Sequence, residues 1–212
     1  MKCHICDKPT KTFICEKTNI HYYQCLSCEY IFKSPAYYQN LEKQKERYNL
    51  HQNNEDDAGY IAYFQRYLDF ILPLVGEPKC ALDFGCGCSS LLATLLESKG
   101  ISCDYYDPIY HPHTLKRKKS YDLIVSTEVF EHLHQPREVF ESLVDTLNTG
   151  GFLAIQTEFH TNDPTSFATW WYPKDTTHIV FFRAHTFKVL SEMYGCRVIK
   201  DNGKNMIVLQ KC

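Results

Sequence analysis

From Lys79 onward, short apolar runs alternate with helix-length amphipathic segments, and this alternation restricts the chain more than any other feature. Residues 80–84 (CALDF) read as a strand, 90–98 as a helix, 102–106 as a second strand and 122–126 (DLIVS) as a third. A helix is expected to begin near Val129, and another over 136–147, with Pro136 in its first turn and its stop at Gly150-Gly151. Residues 152–157 (FLAIQT) supply a fourth strand and 186–194 a further helix. Residues 196–199 and 206–209 flank Asp201-Asn202-Gly203, a hairpin signal. Apolar strands interleaved with helices must be covered on both faces, so the expected fold is α/β, a doubly wound and mostly parallel sheet ending in an antiparallel hairpin. Only 14 residues lie between Asp107 and Asp122, too few for another helix–strand unit. The sheet should therefore be shortened at the edge after its second strand.

Upstream, residues 59–75 place Ile61, Phe64, Leu68, Ile71 and Leu74 near i, i+3, i+4 spacing, the pattern of an amphipathic helix. Residues 36–50 read as a polar helix and 51–57 as a hydrophilic loop, while the first 34 residues are Cys-rich without helical periodicity. The expected organisation is a small segment over 1–35, a helical linker and covering helix over 36–78, and the α/β domain over 79–212. A formal net charge of -2 argues against a broad nucleic-acid surface. No apolar run approaches membrane length, and the first residues carry no signal-like apolar stretch, so a soluble, cytoplasmic protein is expected. Nothing in the sequence sets an oligomeric state.

Eleven cysteines are an odd number, and four fall in two Cys-x2-Cys pairs, which suits a reducing compartment with a metal better than a disulfide framework. The knuckles Cys3/Cys6 and Cys25/Cys28 are separated by 18 residues. Each offers two thiolates on a tight turn, so together they make a closed tetrahedral shell for a structural Zn2+ in a zinc-ribbon-like segment. Cys15, His4 and His21 are spare donors outside this set.

The segment Asp83-Phe84-Gly85-Cys86-Gly87 ends one strand and opens a helix. Gly85 and Gly87 let the backbone turn tightly and approach a ligand without a Cβ clash. Asp107 stands 24 residues after Asp83, at the end of the next strand, where a carboxylate accepts from a ribose diol; it also reads as a turn residue before Pro108. Residues from about 60 to 210 resemble class I S-adenosylmethionine-dependent methyltransferases, a Rossmann-like family. The matching text is LDFGCG at 82–87, YDP at 106–108, YDLIVSTEVFEHL at 121–133 and NTGGFLAIQT at 148–157. Ser89 replaces the third glycine of the family's turn, and the acidic block after the third strand is missing. The resemblance implies that Gly85, Cys86 and Gly87 line the amino-acid end of S-adenosylmethionine, with Asp83 and Pro108 beside them. It implies further that Asp107 holds the ribose and that Thr127, Glu128 and Val129 run beside the adenosine and methyl group. Tyr60 covers the donor in this scheme, and reads equally well as a core aromatic.

Glu128, Glu131 and His132 sit at i, i+3 and i+4, on one face if a helix begins at Glu128. With His178 they form a carboxylate–imidazole set suited to Mn2+, Fe2+, Zn2+ or Co2+. The E-x-x-E-H plus later His arrangement resembles metal-dependent O-methyltransferases, namely the small-RNA 3′-terminal 2′-O-methyltransferases and the polyprenyl dihydroxybenzoate O-methyltransferases. It implies O-methylation of a small hydroxylated acceptor assisted by a second divalent metal, with Glu131, His132 and His178 as the catalytic group. A metal-free N-, O- or C-methyltransferase, in which His132 or His178 acts as general base, is the alternative enzyme; an RNA acceptor has weak support, and a non-catalytic cofactor-binding partner protein is the alternative class. Lys116-Arg117-Lys118-Lys119 reads more readily as a solvated face than as a phosphate grip. Trp170-Trp171-Tyr172 reads as lid packing or a stacking surface, and Cys86 and Cys88 as small packing residues.

Overall fold

The apolar runs become strands because their side chains find cover on both faces. A computed structural model of the chain describes residues 1–15, 17–39, 45, 57–112 and 119–212. Its larger sheet contains β4 (Cys80–Phe84), β5 (Ser102–Tyr106), β6 (Tyr121–Thr127), β7 (Leu147–Gln156), β9 (Cys196–Asp201) and β10 (Met206–Lys211). The order across the sheet is β5-β4-β6-β7-β10-β9. Strands β5, β4, β6 and β7 are parallel, whereas β10 runs antiparallel to both of its neighbours. Strand β5 is the edge, as the short 108–121 connection requires.

Period-two alternation sorts the core. Leu82, Ile124, Leu153, Ile155, Ile207 and Leu209 point to one face, covered by α3 (Pro136–Thr146) and α5 (Ala184–Met193). Ala81, Leu123, Val125, Ala154 and Val208 point to the other, covered by α1 (Ala58–Ile71) and α2 (Leu91–Ser98). Asp57 caps α1 by accepting from the backbone N–H of Gly59 and Tyr60. No helix among the described residues is long and apolar enough to cross a membrane.

Two local expectations are corrected. The helix expected near Val129 is a single 3-10 turn over Phe130–His132. Gly150 and Gly151 do not stop a helix either: α3 ends at Thr146, and both glycines lie inside β7. A Cβ on Gly151 would sit 2.9 Å from the Asn148 carbonyl and 3.0 Å from that of Tyr121, so the strand needs glycine where its register against β6 shifts. Most of the expected 36–50 helix and 51–57 loop, and Lys116 to Lys118 of the basic run, lie outside the described residues. The remaining member of that run, Lys119, pairs with Asp104 at 2.7 Å.

The amino-terminal segment forms β1 (Thr10–Cys15), β2 (Ile20–Cys25) and β3 (Ile31–Lys33), joined by β8 (Val180–Phe181) into a second, antiparallel sheet. Ile31 pairs with Phe181 and Phe32 with Val180, so a strand from the α/β domain completes the amino-terminal sheet. Cys3, Ile5, Cys25, Cys28, Tyr30 and Phe32 share one apolar cluster with the α3–α5 face of the large sheet. A short α4 (Pro164–Thr169) lies between β7 and β8 in the chain and packs through Phe167 against Tyr22 and Phe181 of the small sheet.

Candidate functional site

After Phe84 the backbone of β4 must reverse toward α2, and it does so through Gly85 at φ +82° and Gly87 at φ +67°. A Cβ on Gly85 would lie 2.2 Å from Cγ2 of Val129, so the two chains meet there with no room for a side chain. The N–H groups of Gly85 and Cys86 donate to the Tyr106 carbonyl at 2.7 and 3.1 Å, closing the crook on the end of β5. Asp107 then accepts from the Gly87 N–H at 3.1 Å through one oxygen, and from the N–H groups of Ile109 and Tyr110 through the other. The turn reading of Asp107 is thus built in: it shapes a turn before residues 109–110 and pins that turn to the crook. Pro108 occupies the first position of this turn.

Beneath the crook, Asp83 is buried, and desolvation, with the Asp107 charge added, pushes its carboxyl up to about 8. Burial also raises the Cys86 thiol, so no reactive thiolate forms there. Thr127 ends β6 and pairs with Gln156. Tyr60 is half-buried on α1, its ring 4.7 Å from that of Phe64. Glycine crook, Asp83, Asp107 and Val129 therefore converge at the carboxyl edge of β4, β5 and β6, where open α/β sheets bind ligands.

Next along the same edge stands a second group. Glu128 takes up left-handed backbone at φ +54°, its N–H donating to the Gln156 carbonyl at 2.9 Å. Its two carboxyl oxygens accept from the hydroxyls of Tyr63 (3.3 Å) and Tyr172 (3.1 Å). Burial foremost, and the neighbouring Glu131, raise the Glu128 carboxyl to about 9. Glu131 is fully buried and also raised by desolvation; one oxygen accepts from Thr157 Oγ1 at 2.9 Å, while Oε1 has no hydrogen-bond partner. That orphaned oxygen lies 3.8 Å from Nε2 of His132.

The two imidazoles are held alike. His132 Nδ1 lies 3.0 Å from the Thr177 carbonyl, and His178 Nδ1 lies 2.9 Å from that of Tyr172. A carbonyl only accepts, so each Nδ1 carries the proton and each Nε2 keeps its lone pair. Desolvation lowers both basicities, to about 3 for His178, and the rings stand 4.8 Å apart. Glu131, His132 and His178 offer ligand atoms within 4.8 Å of one another. Glu128 is not among them, because the 3-10 turn and its tyrosine partners turn it aside.

Comparison with known proteins bears on both groups. A family model described as a methyltransferase domain matches residues 56–201, which hold every residue of the crook and the carboxylate–imidazole group. The chain belongs to the methyltransferase-domain family. Its fold is that of class I S-adenosylmethionine-dependent methyltransferases. Among solved structures, an O-methyltransferase family protein from Burkholderia thailandensis superposes with TM-score 0.60 at 12% identity, covering 79% of this chain and 62% of that one. Mitomycin 7-O-methyltransferase MmcR gives 0.50 at 13%, covering 64% of this chain and 49% of that one. The N-methyltransferase NodS from Bradyrhizobium japonicum WM9, in complex with S-adenosyl-L-homocysteine, gives 0.54 at 16%, covering 82% and 99%. At such identities the likeness is one of fold. The chain spans less than two thirds of the length of the first two, and no curated protein matches its sequence.

Several residues of this methyltransferase domain escaped the sequence reading. Tyr63 has no motif to announce it, although it lies one residue from a helical position that packs on the core. Gln156 and Thr157 close the NTGGFLAIQT block but carry no local sign of their contacts, and Lys33, outside the domain, has no motif either. Tyr172 had been read with Trp170 and Trp171 as lid or stacking surface; it is instead fully buried against His178, while Trp171 is exposed. In the amino-terminal segment, Cys3, Cys6, Cys25 and Cys28 bring their four sulfurs within 4.8 Å of one another, all as free thiols. Cys15 belongs to a separate cluster with Tyr22 and Phe167. His4 packs against Phe32, the rings tilted by 35° with centroids 4.1 Å apart.

Proposed function

We propose that this chain methylates a hydroxyl oxygen of a small acceptor, taking the methyl group from S-adenosylmethionine, with a divalent metal held by Glu131, His132 and His178. The observation that carries the reading is the buried, unpartnered Glu131 Oε1 facing two imidazoles whose Nδ1 atoms are both tied to carbonyls. A fully buried carboxylate oxygen without a donor is costly unless something positive meets it. Two neutral imidazoles that keep the Nε2 lone pair, each oriented through Nδ1 by a carbonyl behind it, are what a metal centre needs from its histidines and from the contacts that fix them. Three protein ligands leave an open position for an acceptor oxygen.

The chain's own residues divide the work. The Gly85–Gly87 crook leaves the backbone open to the donor's amino-acid end, and Asp107, fixed by three N–H groups, presents a set carboxylate to the ribose. Glu128, with Tyr63 and Tyr172, spaces the donor from the acceptor group. S-adenosylmethionine supplies an electrophilic methyl on its sulfonium, and the metal would lower the proton affinity of the acceptor hydroxyl. Alignment of acceptor oxygen with methyl then contributes most of the remaining acceleration. Within this reading residues 1–35 form a segment closed by Zn2+ on Cys3, Cys6, Cys25 and Cys28, 36–78 a linker with the donor-covering helix, and 79–212 the transferase domain.

One observation favours a second reading: Glu131 Oε1 at 3.8 Å from His132 Nε2 is also a carboxylate–imidazole base pair that works without metal. The two separate on one experiment. With a panel of diols and catechols as acceptors, chelation or His178→Ala abolishes turnover if metal is used, while S-adenosylhomocysteine binding, followed by calorimetry, is unchanged. Full turnover in metal-free protein overturns the metal. Failure of wild-type protein to bind S-adenosylmethionine or its demethylated product overturns the whole proposal.

A further inference from the structure

Lys33 belongs to the amino-terminal segment, yet it ends beside the carboxylate–imidazole group. Strand β3 pairs with β8, and the ladder continues past its end: the Lys33 N–H donates to the Ile179 carbonyl at 2.8 Å. The Ile179 N–H in turn donates to the Glu131 carbonyl at 2.8 Å. One residue, Ile179, thus ties Lys33 to Glu131 and sits next to His178. The Lys33 side chain is 2% exposed, and among the described residues its Nζ has one hydrogen bond, to the main-chain oxygen of Asp175 at 3.3 Å. No carboxylate among the described residues lies within 4 Å of it. The Asp175 carboxylate is instead engaged by Thr177, whose N–H and hydroxyl donate to Oδ1 at 2.9 and 2.7 Å.

The Asp175 carboxylate favours the charged form from beyond salt-bridge distance, and a buried ammonium whose only described hydrogen bond is to a peptide oxygen has donors left for a closer anion. Its charge reaches both imidazoles, contributing to the lowered basicity of His132 and His178, and burial brings the ammonium itself down to about 8. We propose that Lys33 is the specificity residue of the acceptor site, binding an acidic oxygen carried by the acceptor close to the hydroxyl that receives the methyl group. The substrate class this defines is a hydroxylated small acid. The inference rests on the acceptor-site reading above and sharpens it. It gives the amino-terminal segment a task in catalysis: the strand that follows the second Cys knuckle delivers a binding group into the site of the α/β domain.

The test uses salicylate and salicylamide, which share shape and hydroxyl and differ in charge. The full chain, loaded with S-adenosylhomocysteine, is titrated with each as wild type, Lys33→Met and Lys33→Arg. Wild type is expected to bind salicylate at least tenfold more tightly than salicylamide, Lys33→Met to lose the preference, and Lys33→Arg to keep most of it, with equal affinity for S-adenosylhomocysteine in all three. As a check that needs no folded variant, the Lys33 Cε carbon signal of wild type should move with salicylate and stay with salicylamide. Absence of a preference in wild type, an unmoved signal, or an unchanged preference in Lys33→Met overturns the proposal. Loss of S-adenosylhomocysteine binding in wild type would instead strike the donor site.

Discussion

Gly85 is where two demands fall on one residue. Its φ of +82° belongs to the region that L side chains rarely adopt, and Val129 Cγ2 occupies the space a Cβ would need. Gly85→Ala should therefore strain the crook by about 1–3 kcal/mol and weaken S-adenosylhomocysteine at least tenfold by calorimetry. Val129→Ala in the same chain should restore only part of the loss, because it opens space without relieving φ. Full recovery would show that the clash alone matters. Gly85 was legible because LDFGCG follows a strand and opens a helix, a context that fixes what the glycine is for. Lys33 was not legible: a lone lysine after an aromatic pair says nothing until β3 pairs with β8 and buries it. Glu128 was half legible, its place beside the site being set by the end of β6. Its side chain was misjudged because a left-handed backbone at φ +54° replaced the assumed helical start.

Elements whose signals are local came through the sequence reading, and those decided by a neighbour did not. Strands β4, β5 and β6 and helix α1 lie within a few residues of where periodicity put them, since burial on both faces or on one stripe determines them outright. Strand β7 begins five residues earlier than its apolar run because Leu147 pairs with Tyr121, and Asn148 to Gly151 form an irregular stretch before Phe152 meets Leu123. Nothing local distinguishes that Gly-Gly from a helix stop. The contacts that require glycine are carbonyls of Asn148 and Tyr121, one of them far away in sequence. Gly151→Ala should accordingly destabilise the chain by about 1–3 kcal/mol in denaturant titration, through forced separation of β6 from β7 near Tyr121. Donor affinity should stay within twofold, since the carboxyl ends of these strands lie at the opposite edge. A tenfold loss of donor affinity would mean that the register shift near Tyr121 is transmitted along β6 to Thr127.

At the scale of the whole molecule, the question is whether the Cys-rich segment is an appendage or part of the fold. Spacing alone predicted a closed site and left its purpose open. The structure sets Cys3, Cys25 and Cys28 in the same apolar cluster as Phe140, Leu143 and Phe187 of the helices that cover the large sheet. Arg137 of α3 donates to Asp7 at 2.7 Å, Arg183 pairs with Glu29 at 2.8 Å, and Thr186 of α5 donates to the Cys28 carbonyl. A segment joined by a shared core, a shared sheet and a buried hydrogen bond has no boundary along which to melt by itself. If Zn2+ closes the four thiolates, its binding free energy, on the order of 10 kcal/mol in small zinc domains, stabilises the entire chain. Chelation, or Cys25→Ser, should then shift one cooperative transition to lower Tm in scanning calorimetry. On heating through that lowered transition, and not below it, tyrosine ellipticity and S-adenosylhomocysteine binding should be lost together. A small early transition that leaves donor binding intact would separate the segment from the transferase domain, and would also detach Lys33 from the site it is placed to serve.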